Sequence, residues 1–127
     1  MSELPLIAVV DDDEAIREAI QSLLRSVGFR AAVFASAEDF CHAGPLQATA
    51  CLIVDVRMPR MSGLELQRQL AMADCPMPII FITAHSDEAT RARALRAGAV
   101  AFLDKPFSDE VLLRAVYAAL QSSLGGG

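Results

Sequence analysis

Asp11, Asp12, Asp55, Thr83 and Lys105 are the residues through which this sequence could do chemistry. Each stands at, or just past, the end of an apolar run: 6–10, 51–54, 79–82 and 99–103. Runs of that length read as strands buried on both faces, as in a parallel sheet. There every strand ends on the same side, so residues distant in sequence converge on one rim, where open α/β sheets place their ligands. Carboxylates gathered there repel one another, and a hard divalent cation relieves the repulsion. The all-oxygen set suits Mg2+, with Mn2+ the second choice. The Thr83 hydroxyl and the mobile charge of Lys105 complete a phosphoryl-transfer set around a carboxylate nucleophile, Asp55.

Taken singly, none of these residues demands function. An Asp after a strand is usually a turn or cap residue, Thr83 a strand end, and Lys105 a solvated charge. Their recurrence at four strand ends is what argues for a site.

The positioning elements follow from the apolar pattern. After the strand at 6–10, Ile16, Ile20, Leu23, Leu24 and Val27 recur at helical spacing. Asp13 is placed to cap that helix and Gly28 to end it. Residues 29–34 form a weaker strand suited to a sheet edge. Ser36-Ala37-Glu38-Asp39 resembles a capping box for a short helix to about Cys41. The central strand, 51–55, leads through Pro59 to a helix opening at Gly63, with Leu66, Leu70 and Ala73 on one face. Pro76 and Pro78 precede the strand at 79–83. A helix over 87–97, rich in Ala and Arg, has Leu95 as its one large apolar residue, which makes it the element most free to shift. A fifth strand at 99–103 precedes a helix capped by Ser108, with Val111, Leu112, Ala115, Val116, Ala119 and Leu120 as its stripe. Leu113 and Tyr117 form a second patch. Five β-α repeats imply a parallel sheet with helices on both faces.

The chain has 127 residues, 54% hydrophobic and 21% charged, which suits one globular domain. One domain over residues 1–122 is expected, with 123–127 a Gly-ending tail or the start of a linker. Net charge is −5, which argues against phosphate-backbone binding by this segment and suits a cation or basic partner. No apolar run approaches the ~20 residues of a membrane span, and the start lacks the basic region of a signal peptide. A cytoplasmic protein is expected. Cys41, Cys51 and Cys75 lack CxxC spacing and read as reduced thiols, Cys51 in the core.

Val9-Val10-Asp11-Asp12-Asp13, Val54-Asp55-Val56-Arg57-Met58-Pro59 with Gly63, Ile82-Thr83-Ala84 and Asp104-Lys105-Pro106-Phe107 together resemble the receiver domain of two-component response regulators. The resemblance runs from Leu6 to about Ser122. It implies a flavodoxin-like (βα)5 doubly wound parallel sheet of strand order 2-1-3-4-5. It further implies that Asp55 accepts a phosphoryl group from a sensor histidine kinase, and that Asp11, Asp12, Asp55 and the Arg57 backbone carbonyl hold Mg2+. Asp13 is then a cap. Thr83, the Ala84 amide and Lys105 each take a phosphoryl oxygen. Thr83 and Phe102 form the switch, with Phe102 turning inward on phosphorylation. Lys105-Pro106 is expected to be cis.

Arg57, His85 and Gly98-Ala99-Val100 point toward the FixJ-like branch, whose members often carry a DNA-binding helix-turn-helix after the receiver. DNA would be reached only through such an output domain, which this chain lacks. Arg57 and His85 would tune the phosphoryl lifetime by admitting or excluding water. Phosphorylation is expected to re-seat the lightly packed helix at 87–97 and to promote homodimerisation through that helix, the fifth strand and the last helix, with Leu113 and Tyr117 in the contact. A haloacid-dehalogenase-like phosphatase is the rival, through Asp11-x-Asp13, but the chain is short for it and the later acidic pair is missing. A nucleotide-binding domain would need a glycine-rich loop after Val10, which is absent.

Overall fold

The computed structural model describes residues 4–125, with side chains through Gln121. Strands β1 (Leu6–Val10), β2 (Arg30–Phe34), β3 (Thr49–Asp55), β4 (Ile79–Thr83) and β5 (Ala101–Asp104) alternate with helices α1 (Glu14–Ser26), α2 (Ala37–Ala43), α3 (Gly63–Met72), α4 (Glu88–Arg96) and α5 (Asp109–Gly125). All strand pairs are parallel, in the order β2-β1-β3-β4-β5. This is the flavodoxin-like arrangement expected.

Strand side chains alternate between faces, and two cores result. Ala8, Val10, Leu52, Val54, Ile79 and Phe81 meet Phe40 of α2, Leu66 and Leu70 of α3 and Ala94 of α4. Ile7, Val9, Cys51, Ile53, Ile80 and Ile82 meet Ile20 and Leu24 of α1 and Leu112, Val116 and Ala119 of α5. Burial pushes the Cys51 thiol up to about 12, in keeping with a small inert core residue. Caps set the helix starts: Asp13 accepts from the Ala15 and Ile16 amides, and Ser62 and Glu65 form a reciprocal capping box on α3.

Several local expectations are corrected. β5 begins at Ala101, not at residue 99, because Gly98 (φ +106) closes α4 and the Ala99 amide is used on Ala94 O. β3 starts earlier, at Thr49, and α2 reaches Ala43. Ala73 is the exposed C-cap of α3, and Val111 is 41% exposed. α5 continues through Gly125; Gly126 and Gly127 lie outside the described residues.

The anchor of α4 is Ala94, and Leu95 is 39% exposed. One small residue buries little area, so α4 also relies on polar ties. Gln67 Nε2 donates to Ala94 O at 3.3 Å, and Arg91 Nη1 donates to Phe102 O at 3.2 Å. The Tyr117 ring sits 5.6 Å from Phe29, just past the α1 C-terminus. Leu113 joins the half-buried rim of the core that α1 and α5 share. Tyr117 is nonetheless 48% exposed, so part of the second patch faces solvent, while Leu113 is drawn toward the core.

Candidate functional site: an acid cluster at the strand rim

Each site residue is placed by the strand it ends. Asp11 follows β1 and is fully buried, Asp55 is the last residue of β3, and Thr83 the last of β4; both are also buried. Asp12, exposed, joins Asp11 and Asp55 so that one carboxylate oxygen from each lies within 4.8 Å of the others. Lys105 follows β5 and enters the same space. Its Nζ lies 2.9 Å from Asp11 Oδ2 and 2.9 Å from Asp55 Oδ2. The peptide between Lys105 and Pro106 is cis, as the resemblance implies.

The remaining oxygens of Asp11 and Asp55 are held by backbone. Asp11 Oδ1 accepts the Asp13 amide at 2.8 Å, and Asp55 Oδ1 accepts the Arg57 amide at 3.0 Å. Burial raises the Asp11 carboxyl above its ordinary value, aided by the Asp55 charge, although the Asp13 amide and Lys105 pull the other way. Burial alone would lower Lys105, but its bonds to Asp55 and Asp11 outweigh that and hold it above the ordinary lysine value. The cluster is an electrostatically loaded site of fixed oxygen atoms, with one mobile cation spanning two of them.

Thr83 Oγ1 accepts the His85 amide at 3.2 Å, which shapes the β4–α4 loop. Ala84, between them, is exposed. The Arg57 guanidinium crosses from the β3–α3 loop to this one, with Nε 3.4 Å from His85 O and Nη2 3.5 Å from Asp87 Oδ2. Asp87 caps α4, and its bonds from Thr90 hold its carboxyl below the usual range. His85 contributes its backbone to these contacts.

Phe102 is the clearest departure from expectation. It is 5% exposed, 6.2 Å from the Phe81 ring, with the Arg91 guanidinium 5.8 Å from its ring centroid. The ring already lies inward, so the outward starting position expected of it is not the one found. Two further contacts had no sequence signal. Arg17 Nη1 donates to Asp11 O at 2.8 Å, and Glu38 of α2 reaches the β3–α3 loop.

The set that converges here, on this fold, defines a class: a regulatory receiver module of the response-regulator type. The chain belongs to the response regulator receiver domain family, whose model matches residues 7–117. It is 48% identical over 116 residues to response regulator protein TmoT of Ectopseudomonas mendocina, covering 91% of this chain and 53% of that protein. It is 39% identical to the transcriptional regulatory protein FixJ of Azorhizobium caulinodans, covering 100% of this chain and 60% of that protein. Among solved structures it is similar to the response regulator StyR (TM-score 0.89, 44% identity, 97% of this chain and 62% of that one). It is also similar to FixJ-N (TM-score 0.83, 37% identity, 95% and 96%). The chain spans about half the length of the curated relatives it matches. The phosphatase rival has no support in these matches. No described helix is long and apolar enough to cross a membrane.

Proposed function

We propose that this receiver domain accepts a phosphoryl group on Asp55 from the phosphohistidine of a sensor histidine kinase, with Mg2+ required. The observation that carries this reading is Lys105 Nζ at 2.9 Å from both Asp55 and Asp11 within the three-carboxylate cluster. The donor set is all oxygen and fits a hard cation. Asp11, Asp12, Asp55 and the Arg57 carbonyl would hold it. Bound there, Mg2+ would neutralise charge on the transferring phosphoryl.

The chemistry then falls to the chain. An Asp55 carboxylate oxygen attacks phosphorus, the phosphorus–nitrogen bond of phosphohistidine breaks, and the imidazole leaves with the bond's electron pair. Lys105 exchanges its hold on Asp55 for a phosphoryl oxygen. The Thr83 hydroxyl and the Ala84 amide donate to the others. Arg57 and His85 overhang this point and set water's access to the acyl phosphate. An apolar groove of about 170 Å3 beside Lys105, lined by Ile16, Ile20, Leu23, Pro106 and Phe107, offers the phosphodonor an apolar seat next to the site.

Acetyl phosphate and Mg2+ should add the mass of one phosphate, and Asp55→Asn should remove the addition. No addition, or one that survives the substitution, rejects the reading. In the same assay, unchanged acyl-phosphate half-lives in both Arg57→Ala and His85→Ala would reject their tuning role.

The output follows through α4, β5 and α5. Drawing Thr83 to the phosphoryl withdraws its hydroxyl from the His85 amide, loosening the loop that caps α4. We assign phosphorylation-dependent dimerisation to this face, where Leu95 and Val111 are exposed, and a transcriptional output to a DNA-binding domain, by analogy with relatives named as transcriptional regulators. Sedimentation of the beryllofluoride-treated protein as monomer at high micromolar concentration would count against the dimer. A cytoplasmic location follows from the same reading, since a sensor kinase presents its phosphohistidine there.

A further inference from the structure

Glu38 lies in the first turn of α2, yet its side chain is only 29% exposed and is turned toward the β3–α3 loop rather than wholly into solvent. Its Oε2 accepts the Met61 amide at 3.2 Å and lies 3.7 Å from Arg60 Nε. Its Oε1 is buried, with no protein partner among the described residues. Turning a carboxylate inward with one oxygen unsatisfied is unfavourable unless the other oxygen makes a contact that matters.

That contact falls at the most constrained point of the β3–α3 loop. Arg60 has φ +66, a left-handed conformation costly for a residue with a side chain. Such a residue persists only where its surroundings over-determine it. Here the amide directly after it is taken by Glu38, and its own guanidinium is drawn to the same carboxylate. The loop is fixed at its far end by the Gly63 amide on Val56 O at 2.9 Å. Between these two fixed points runs Arg57, whose amide holds Asp55 Oδ1.

We infer that Glu38 is a positioning residue for the phosphoacceptor loop: it holds the Arg60–Met61 turn so that Arg57 presents its amide to Asp55 and its carbonyl to the cation. The functional half of this rests on the Mg2+-dependent reading above.

The test uses the whole chain with Glu38→Ala and Glu38→Gln. Gln keeps an acceptor for the Met61 amide; Ala does not. Amide hydrogen exchange without metal should be faster at Met61 and Arg57 in the Ala variant and near the parent's rate in the Gln variant. Mg2+ affinity by calorimetry should fall roughly 10-fold or more with Ala, as when an orienting partner of a metal ligand is lost, and recover with Gln. Unchanged exchange at Met61 overturns the brace. Faster exchange with unchanged Mg2+ affinity overturns the positioning role and leaves Glu38 a structural residue. If the parent itself binds no Mg2+, the functional reading fails, while the exchange data still decide the brace.

Discussion

Asp11→Asn should make the metal-free protein more stable and make it indifferent to Mg2+. In the parent, Asp11 is buried beside Asp55, and its carboxyl is held above its ordinary 3.8, chiefly by burial. The sign follows from proton linkage. A carboxyl raised on folding keeps its proton to a higher pH than the unfolded chain does. Its favourable contribution is therefore complete below 3.8 and is lost as pH rises through the raised folded value. Above that raised value the ionised Asp11 is a net cost that Lys105 only partly offsets. An amide in its place carries no charge to desolvate and can still accept the Asp13 amide.

With Mg2+ the order reverses. A ligand that binds only the folded state stabilises it by about 2.7 kcal/mol at a hundred times its dissociation constant. For a domain this size that is a rise in Tm of roughly 10 °C. Losing even an orienting neighbour of a ligand costs roughly 10–100-fold in affinity, and losing a ligand costs at least that. The variant should therefore show almost no Mg2+-dependent rise in Tm and little phosphate acceptance from acetyl phosphate. Thermal melts with and without Mg2+, at two pH values either side of the raised Asp11 value, read all of this. A variant melt that rises with Mg2+ as the parent's does would remove Asp11 from the metal site.

The rim was legible because strand ends obey a simple rule. A run of apolar residues that stops at a polar one marks where a buried strand meets the rim, and the parallel order brings those points together. Asp11, Asp55, Thr83 and Lys105 needed nothing more. Whatever depends on which way a helix turns was not legible. Leu113 and Tyr117 read as one apolar patch, but how much of it stays exposed depends on Phe29, far away in sequence, against which the Tyr117 ring packs. Leu95 looks like the anchor of α4 because it is large, yet the helix phase gives Ala94 to the core. Phe102 is expected to start outward, but Arg91, eleven residues earlier, holds its carbonyl and lies against its ring. Glu38 was hidden because a carboxylate in a first helical turn has an ordinary electrostatic explanation. Only the backbone of Arg60 reveals the other use.

Gly63→Ala should unfold at a markedly lower temperature and lose phosphate acceptance beyond what its lost stability explains. Gly63 opens α3 directly over the backbone of Asp55. A Cβ there would lie 2.4 Å from Asp55 O and 3.1 Å from a Phe81 ring carbon. The first of these is backbone within the central strand, so it cannot swing aside as a flexible side chain would. Ala favours helix over Gly by up to about 1 kcal/mol, but overpacking a rigid site costs about 1–3 kcal/mol, and here the cost should win. Displacing α3 also pulls on the Gly63 amide at Val56 O, and so on the loop that carries Arg57. A net loss of about 2 kcal/mol is expected, or a Tm lower by roughly 8 °C. Gly28→Ala is the control. Gly28 has φ +95, and a Cβ there would meet nothing within 4 Å, so the penalty is backbone strain of roughly 1 kcal/mol, far from the rim. Both variants should melt early, but only Gly63→Ala should fail to take phosphate at temperatures where it is folded. If Gly63→Ala accepts phosphate as Gly28→Ala does, the close seat of α3 on Asp55 is a packing detail with no bearing on the site.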